Sequence, residues 1–463
     1  MVENRATSGI DLHLEPGRSG GLRRGLTDAL RDAVRTGRLA PGTRLPSSRT
    51  LAADLGIARN TVADAYGDLV AEGWLTARQG SGTRVADRTV VPPAGAAPRR
   101  RAPARPAYNL VPGTPDLAAF PRAEWLKAAR RALSAAPGHA LDYGDPRGRP
   151  ELRTALAAYL SRSRGVRADP DAVVVCAGFA HGLRILATVL RARGVRTVAV
   201  ESYGLDVHWK LLTDAGAATR PLPYDDLGTD PHGLGSAEAV LLTPAHQFPM
   251  GVALHPDRRA AVVDWARRTG GLVLEDDYDG EFRYDRQPVG ALQGLDPDHV
   301  VHLGTASKSL APGLRLGWMV LPPALVAEVT AAKGGIDTCG VLDQLTLAEF
   351  LASGAYDRHV RSSRLRYRRR RDALVAELAR RAPAVRATGI AAGLHVVLRL
   401  PPGTEQATLR AAAWHGVAVH GLSRYRHPES TVEPPDALVV GYGTPPDHAW
   451  SGALDALCAA LPE

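Results

Sequence analysis

Lysine is scarce in this chain. Of 57 basic side chains only four are lysine, at Lys127, Lys210, Lys308 and Lys333. Arginine keeps its proton near neutral pH and forms no imine, whereas a desolvated lysine amine can lose its proton and form one. In so arginine-rich a chain, each lysine asks for a reason. Cysteine is also rare: Cys176, Cys339 and Cys458 lie far apart and lack metal-ligand spacing. That excludes a disulfide framework and a cysteine zinc site, and it suggests reduced thiols in a cytoplasmic protein. No apolar run approaches the roughly 18–20 residues that a membrane helix needs. The start, MVENRATSGIDLHLEPG, has no apolar signal-peptide core.

What is present is a globular composition, 45% hydrophobic and 23% charged over 463 residues. That length predicts two or three domains. The net charge of +9 is unevenly placed: residues 1–107 hold 17 arginines against 10 acids, so most of the excess lies there. A basic first quarter on a near-neutral remainder points to nucleic acid for the first part. A solvated basic face would leave the same charge count.

Residues 20–37, GGLRRGLTDALRDAVRTG, place Leu22, Leu26, Leu30, Ala33 and Val34 at helical spacing. Pro46, Ser47 and Ser48 open a second, short helix through Leu55, closed by Gly56. IARNTVADAYGDLVAEGW gives a third, with Val62, Ala65, Tyr66, Leu69 and Val70 as its buried stripe. Arg59, Asn60 and Thr61 sit at its start, where a recognition helix presents side chains to base edges. WLTARQGSGTRVA then reads as strand, turn, strand. Three helices and a wing make a winged helix-turn-helix. LAPGTRLPSSRTLAADLGIARNTVADAYGDLVAEGWL resembles the GntR-type DNA-binding domain, and residues 1–86 are assigned to it. The resemblance implies a double-stranded DNA operator. It gives Arg44, Ser48 and Arg49 contacts near helix 2, Arg59, Asn60 and Thr61 entry to the major groove, and Gln79, Gly80, Ser81 and Gly82 the wing tip.

Residues 87–107, DRTVVPPAGAAPRRRAPARPA, hold almost no large apolar side chain and read as an extended tether. Beyond it, in 108–463, strands alternate with helices: DAVVVCAGFAHGLRILATVL, RTVAVES, AVLLTP, GGLVLEDDYDGEF and VVHLGTASKS. That pattern predicts a mostly parallel sheet with its site at the strand C-terminal ends, where both the acids and Lys308 fall. A lysine imine to pyridoxal phosphate needs an acid for the ring nitrogen, an anion cradle for the phosphate and a group to tune the ring oxygen. Asp276 leaves LVLED with Asp277 beside it, and Tyr278 follows. Gly178, Phe179 and Ala180 open a helix, Thr305 and Ser307 flank Lys308, and Arg315 follows seven residues later. Taken singly, these could be a surface lysine, a helix cap and a surface ion pair.

The motifs ALDYGDPRGRPELRTALAAYL, TPAHQFPMGVALHPDRR, VLEDDYDGEFRY and LGTASKSLAPGLRLGW resemble fold type I, class I aminotransferases. The whole chain is similar to the MocR/GabR family, in which a GntR-type head is tethered to an aminotransferase-like domain. This implies an α/β PLP-dependent transferase fold with a smaller C-terminal α+β subdomain, pyridoxal 5'-phosphate as cofactor, and a homodimer. By resemblance Lys308 is the imine lysine, Asp276 the ring-nitrogen partner and Tyr278 the ring-oxygen partner. Thr305, Ser307, Arg315 and the Phe179–Ala180 backbone would bind phosphate, Tyr143 would reach the other subunit's phosphate, and His246 and Gln247 would lie near the ring.

Two stretches depart from the family. DALVVGYGTPP has Val439 and Val440 where a carboxylate-clamping arginine is expected, and ESYGL replaces E-D-P-G-Y, with Leu205 or a shifted Tyr203 at the tyrosine position. Arg424 and Arg426, in GLSRYRHPES, are candidate replacements. A regulator sensing an amino acid, an amine or PLP itself fits this pattern better than a working aminotransferase with an accessory DNA domain, which must orient two substrates in turn. A ligand-free dimerising scaffold fits worst, because it leaves the lysine and acid set without a purpose.

Overall fold

The computed structural model describes residues 21–78, 82–87, 106–284 and 289–462. Gln79, Gly80 and Ser81, and residues 88–105 of the expected tether, lie outside them. The chain divides into two units, Met1–Ala104 and Arg105–Glu463.

In the first unit, α1 (Leu22–Arg35), α2 (Ser48–Leu55) and α3 (Arg59–Ala71) pack around Leu26, Leu30, Leu51, Val62, Ala65 and Leu69. Helix α2 starts because Ser47 caps it, accepting from the Thr50 N–H at 3.1 Å. It stops at Gly56, which takes the left-handed conformation. Two residues expected in the buried stripes are exposed: Leu22, on the first turn of α1, and Val70, near the end of α3. Strands β1 (Leu75–Arg78) and β2 (Gly82–Val85) pair antiparallel as the wing. A third segment joins them, since Leu45 donates to Thr83 O and Val85 donates to Thr43 O, each at 2.9 Å.

In the second unit, α4 (Arg122–Ala135) and α5 (Pro150–Arg164) precede the main sheet. That sheet and its helices follow as β3 (Val173–Cys176), α6 (Phe179–Ala192), β4 (Thr197–Glu201), α7 (Asp206–Asp214), β5 (Ala218–Leu222), β6 (Ala239–Leu242), α8 (Pro256–Thr269), β7 (Leu272–Asp276), β8 (Val300–Thr305) and β9 (Gly317–Val320). The strand order is β3-β9-β8-β7-β6-β4-β5. Only β9 runs antiparallel to its neighbours. Both faces are covered, which explains the unbroken apolar runs. Val240, Val273 and Val300 pack with Val262 and Trp265 of α8. The next residues along, Leu241, Leu274 and Val301, pack with Leu183 and Leu186 of α6.

Helices α9 (Val341–Ala352) and α10 (Ala355–Arg381) lead into the smaller part. Helix α10 is shared: Tyr356 and Val360 belong to one core cluster, Tyr367, Leu374 and Leu378 to another. Strands β10 (Arg386–Thr388), β11 (Val396–Arg399), β12 (His420–Gly421) and β13 (Ala437–Val440) form an antiparallel sheet ordered β10-β11-β13-β12. The architecture is an N-terminal winged helix-turn-helix and a C-terminal α/β fold with a mostly parallel sheet and a smaller α+β part. The three cysteines are buried and unpaired. Among the described residues no helix is long and apolar enough to cross a membrane.

Candidate functional site

The C-terminal ends of the parallel strands open into one cavity of about 450 Å³. Glu201 ends β4, Asp276 ends β7 and Thr305 ends β8, and all three line it with Phe179, Ala180, Tyr278, Ser307, Lys308 and Arg315. Lys308 follows β8 by three residues and donates from Nζ to the Gly113 carbonyl at 2.5 Å. Burial pushes its pKa down, and the neighbouring carboxylates Asp276 and Asp279 partly offset this.

The adjacent acids Asp276 and Asp277, indistinguishable in the sequence, have opposite environments. Asp277 points away from the cavity and is gripped by Arg164, which donates from Nε at 2.6 Å and from Nη2 at 2.9 Å. Burial would raise its pKa, but Arg164 more than offsets this and holds it low. Asp276 has no such partner: its Oδ1 is buried and makes no hydrogen bond among the described residues. Burial pushes its pKa well up, with only Lys308 opposing. A buried, unpartnered carboxylate oxygen is a standing demand for a donor. Glu201 is the other acid in the wall. It accepts from Thr243 Oγ1 at 2.5 Å and Thr229 Oγ1 at 3.2 Å, and burial raises it to about 7.

The anion-cradle residues meet at the start of α6. Gly178 caps that helix at φ 83, and no side chain hydrogen-bonds as its cap. A Cβ added to Gly317 would stand 2.8 Å from the Gly178 Cα, so glycine at 317 permits the close approach. Arg315, itself at φ 52, brings its guanidinium to this turn and donates to the Ala177 carbonyl. Thr305 Oγ1 lies 2.8 Å from Ser307 Oγ and accepts from the Ser307 N–H. Free helix N–H groups beside an arginine and two hydroxyls suit an anion such as phosphate.

His246 and Gln247 are buried behind the wall rather than in it. His246 Nδ1 is 2.8 Å from Asp279 Oδ2 and 3.1 Å from the Tyr278 hydroxyl, so it braces Tyr278 from the far side. His395 lies against it, donating from Nε2 to Pro249 O at 3.0 Å. Burial depresses the His395 pKa to about 3, so its ring is neutral. Tyr143 is 94% exposed and reaches none of these groups within its own chain.

The departures from the family pattern also have definite places. Val439 and Val440 are wholly buried in β13, in two different core clusters, and neither lines the cavity. Leu205 and Tyr203 both line it. Tyr203 packs edge-on against Tyr224, and its hydroxyl is buried without a partner among the described residues. Arg426 is spent on loop structure, donating to Val432 O and Ser430 O. Arg424 lines the cavity rim, with no ion pair or hydrogen bond to another described residue.

In the head, Arg59 and Asn60 are exposed on the first turn of α3, with Thr61 half-buried beside them. Arg44 and Arg49 are exposed, Ser48 opens α2, and the Arg44 guanidinium lies against Gly82. The acids on and just after α3 pair with α1: Asp64 and Asp68 with Arg23, and Glu72, which follows the helix, with Arg31. Arg44, Arg49 and Arg59 make no ion pair among the described residues and remain available to an anion.

Sequence reasoning did not single out Glu201, Thr243, Asp279, His395, His420 or Tyr425. Glu201 carried the same signal as Asp276, an acid at the end of a buried strand. The two histidines arrive from the smaller sheet, and nothing local marks them.

Comparison with known proteins agrees with this division. Residues 109–431 match the family "Aminotransferase class I and II", and residues 22–85 match "Bacterial regulatory proteins, gntR family". The HTH-type pyridoxine biosynthesis transcriptional regulator PdxR of Corynebacterium glutamicum is 35% identical over 406 residues, 86% of this chain and 88% of that protein. The probable rhizopine catabolism regulatory protein MocR of Rhizobium meliloti is 35% identical over 433 residues, 87% of each. Among solved structures, an archaeal alanine:glyoxylate aminotransferase superposes with a TM-score of 0.68 at 25% identity, covering 76% of this chain and 89% of that one. A DNA-reading head of one family joined to an aminotransferase fold, in relatives that match nearly end to end and are themselves transcriptional regulators, identifies the chain: it belongs to the MocR-type family of HTH-type transcriptional regulators.

Proposed function

We propose that the second unit holds pyridoxal 5'-phosphate on Lys308 and that a small molecule sensed there alters how the head binds a double-stranded DNA operator. The observation that carries this reading is the buried, unpartnered Asp276 Oδ1 in the same cavity as a desolvated lysine. A protonated pyridine nitrogen is the donor that such an oxygen lacks. When bound, the cofactor supplies a carbonyl that condenses with amines and a ring that accepts electrons. The chain's own residues do the rest. Lys308 has an amine pKa lowered by burial, Asp276 would keep the ring nitrogen protonated, and Tyr278, braced by His246, would serve the ring oxygen. The Phe179 and Ala180 N–H groups, Thr305, Ser307 and Arg315 would hold the phosphate.

The exposed Tyr143 would complete the phosphate site of a second subunit, which makes the working form a homodimer. Two heads on one dimer would read two half-sites. Arg59, Asn60 and Thr61 would enter the major groove, Arg44, Ser48 and Arg49 would contact phosphates or bases, and Gly82 would belong to the wing tip. The protein would act in the cytoplasm. The effector is an amino acid, an amine or PLP itself. The pyridoxine biosynthesis regulator among the relatives supports PLP, and the rhizopine catabolism regulator supports a nitrogen-containing catabolite. Aminotransferase turnover is the weaker reading, because the buried Val439 and Val440 supply no carboxylate clamp.

The test is operator binding by full-length protein, followed by fluorescence anisotropy with PLP, without it, and with amino acids added. A change in affinity that disappears in Lys308→Ala is expected. Identical binding by wild type and Lys308→Ala under every condition would exclude sensing at this site.

A further inference from the structure

Among the described residues three cations line the cavity: Lys308, Arg315 and Arg424. The proposed function uses the first two, and both already touch backbone carbonyls. Arg424 is left over. It stands on a four-residue 3-10 turn, Leu422–Tyr425, at the rim, exposed and with no partner among the described residues. The acids that line the cavity among the described residues are Glu201, Asp206 and Asp276. Glu201 is held by two threonines, and Asp206 accepts from the Val207 N–H at the start of α7. None pairs with Arg424.

The neighbouring His420 is oriented by its own contact. Its Nδ1 lies 2.7 Å from the Tyr425 hydroxyl and is the only hydrogen-bond partner of that buried phenol among the described residues. Burial keeps the phenol protonated, so the O–H must donate or leave its proton orphaned. His420 Nδ1 therefore accepts, which places the ring proton on Nε2. Burial, together with Arg424, lowers the His420 pKa and keeps the ring neutral. Nε2–H makes no hydrogen bond to another described residue, and His420 lines the same cavity. The rim thus presents a guanidinium fork and an imidazole N–H, above a wall that includes Leu205, Phe248 and Leu394.

We propose that Arg424 and His420 form an anion-binding subsite that takes the carboxylate or phosphate of a small effector entering the Lys308 cavity. This rests on the reading of that cavity as the effector site. A fork of donors matches the two oxygens of a carboxylate or phosphate, and a lysine or glutamine would not reproduce it. The cavity volume and apolar walls limit the ligand to a small molecule. The subsite is built on the 3-10 turn after β12, so it is separate from the β13 position where the family arginine would stand.

The experiment uses full-length protein loaded with PLP and two probe pairs, L-alanine against ethylamine and O-phosphoethanolamine against ethanolamine. Dissociation constants are read from the visible band of the lysine-bound cofactor and by calorimetry. In wild type, at least one acid should bind ten times more tightly than its anion-free counterpart. The alanine pair reports a carboxylate preference and the phosphoethanolamine pair a phosphate preference. Arg424→Gln should bring that ratio close to one, with Arg424→Met as a second variant should the amide fail to load. Arg424→Lys should keep part of the ratio, and His420→Gln should reduce it less than Arg424→Gln does. Ratios near one for both pairs in wild type, or a ratio unmoved in Arg424→Gln, would overturn the subsite. Absence of any visible band in wild type would instead overturn the cofactor reading beneath it.

Discussion

Replacing Asp276 by Asn should move the empty and the cofactor-loaded protein in opposite directions. In the empty protein the Asp276 carboxylate is buried, its Oδ1 has no donor, and burial raises its pKa. An acid whose pKa is raised on folding adds stability below its unfolded pKa and loses it as pH rises through the folded value. Asp276→Asn does not titrate. The Tm of the empty variant should therefore gain on wild type as pH rises from 5 to about 8. In the loaded protein the same carboxylate is proposed to pair with the pyridine nitrogen. Breaking a buried ion pair by removing one partner costs about 3–5 kcal/mol. PLP retention should therefore weaken by about two to three and a half orders of magnitude. Equilibrium dialysis against PLP and differential scanning calorimetry at pH 5 and 8 measure both halves. A variant that keeps wild-type PLP affinity, with a Tm difference that does not change with pH, would refute the reasoning.

Further outcomes follow from the head and from the smaller sheet. Arg59→Ala and Asn60→Ala should each reduce discrimination between operator and random DNA by about 1–3 kcal/mol. Arg44→Ala should weaken both kinds of binding and flatten the salt dependence. Equal losses on operator and random DNA in Arg59→Ala would remove α3 as the reader. Val439→Arg, an attempt to restore the family clamp, should bury an unpaired charge in the β13 core, lower Tm by roughly 10 °C and yield no ketoacid. A stable variant that transaminates would contradict the placement of β13.

The periodic signals were legible because each rests on a local cause. The three head helices have their apolar stripe, the serine cap before α2 and the closing glycine after it. The main-sheet strands have their apolar runs, and Lys308 stands out in a chain with four lysines. Which of two adjacent acids faces the cavity was not legible. It depends on Arg164, 113 residues away in the chain, capturing Asp277. The third wing segment, Thr43–Leu45, was missed because its pairing with β2 is nonlocal and the stretch lies between two helices. The contributions of His395, His420 and Tyr425 depend on how the smaller sheet meets the larger one, and no spacing in the sequence encodes that. Arg424 and Arg426 were equivalent as letters. Only the folded loop separates the one at the rim from the one bonded to Ser430 and Val432.

The most direct measurement of the central claim is chemical. Full-length protein incubated with PLP is reduced with borohydride, digested and mapped by mass spectrometry. A single pyridoxyl mass increment on the peptide containing Lys308, absent in Lys308→Ala, is the result expected. A label on Lys127, Lys210 or Lys333 instead, or no label on a protein that still binds operator DNA, would contradict it.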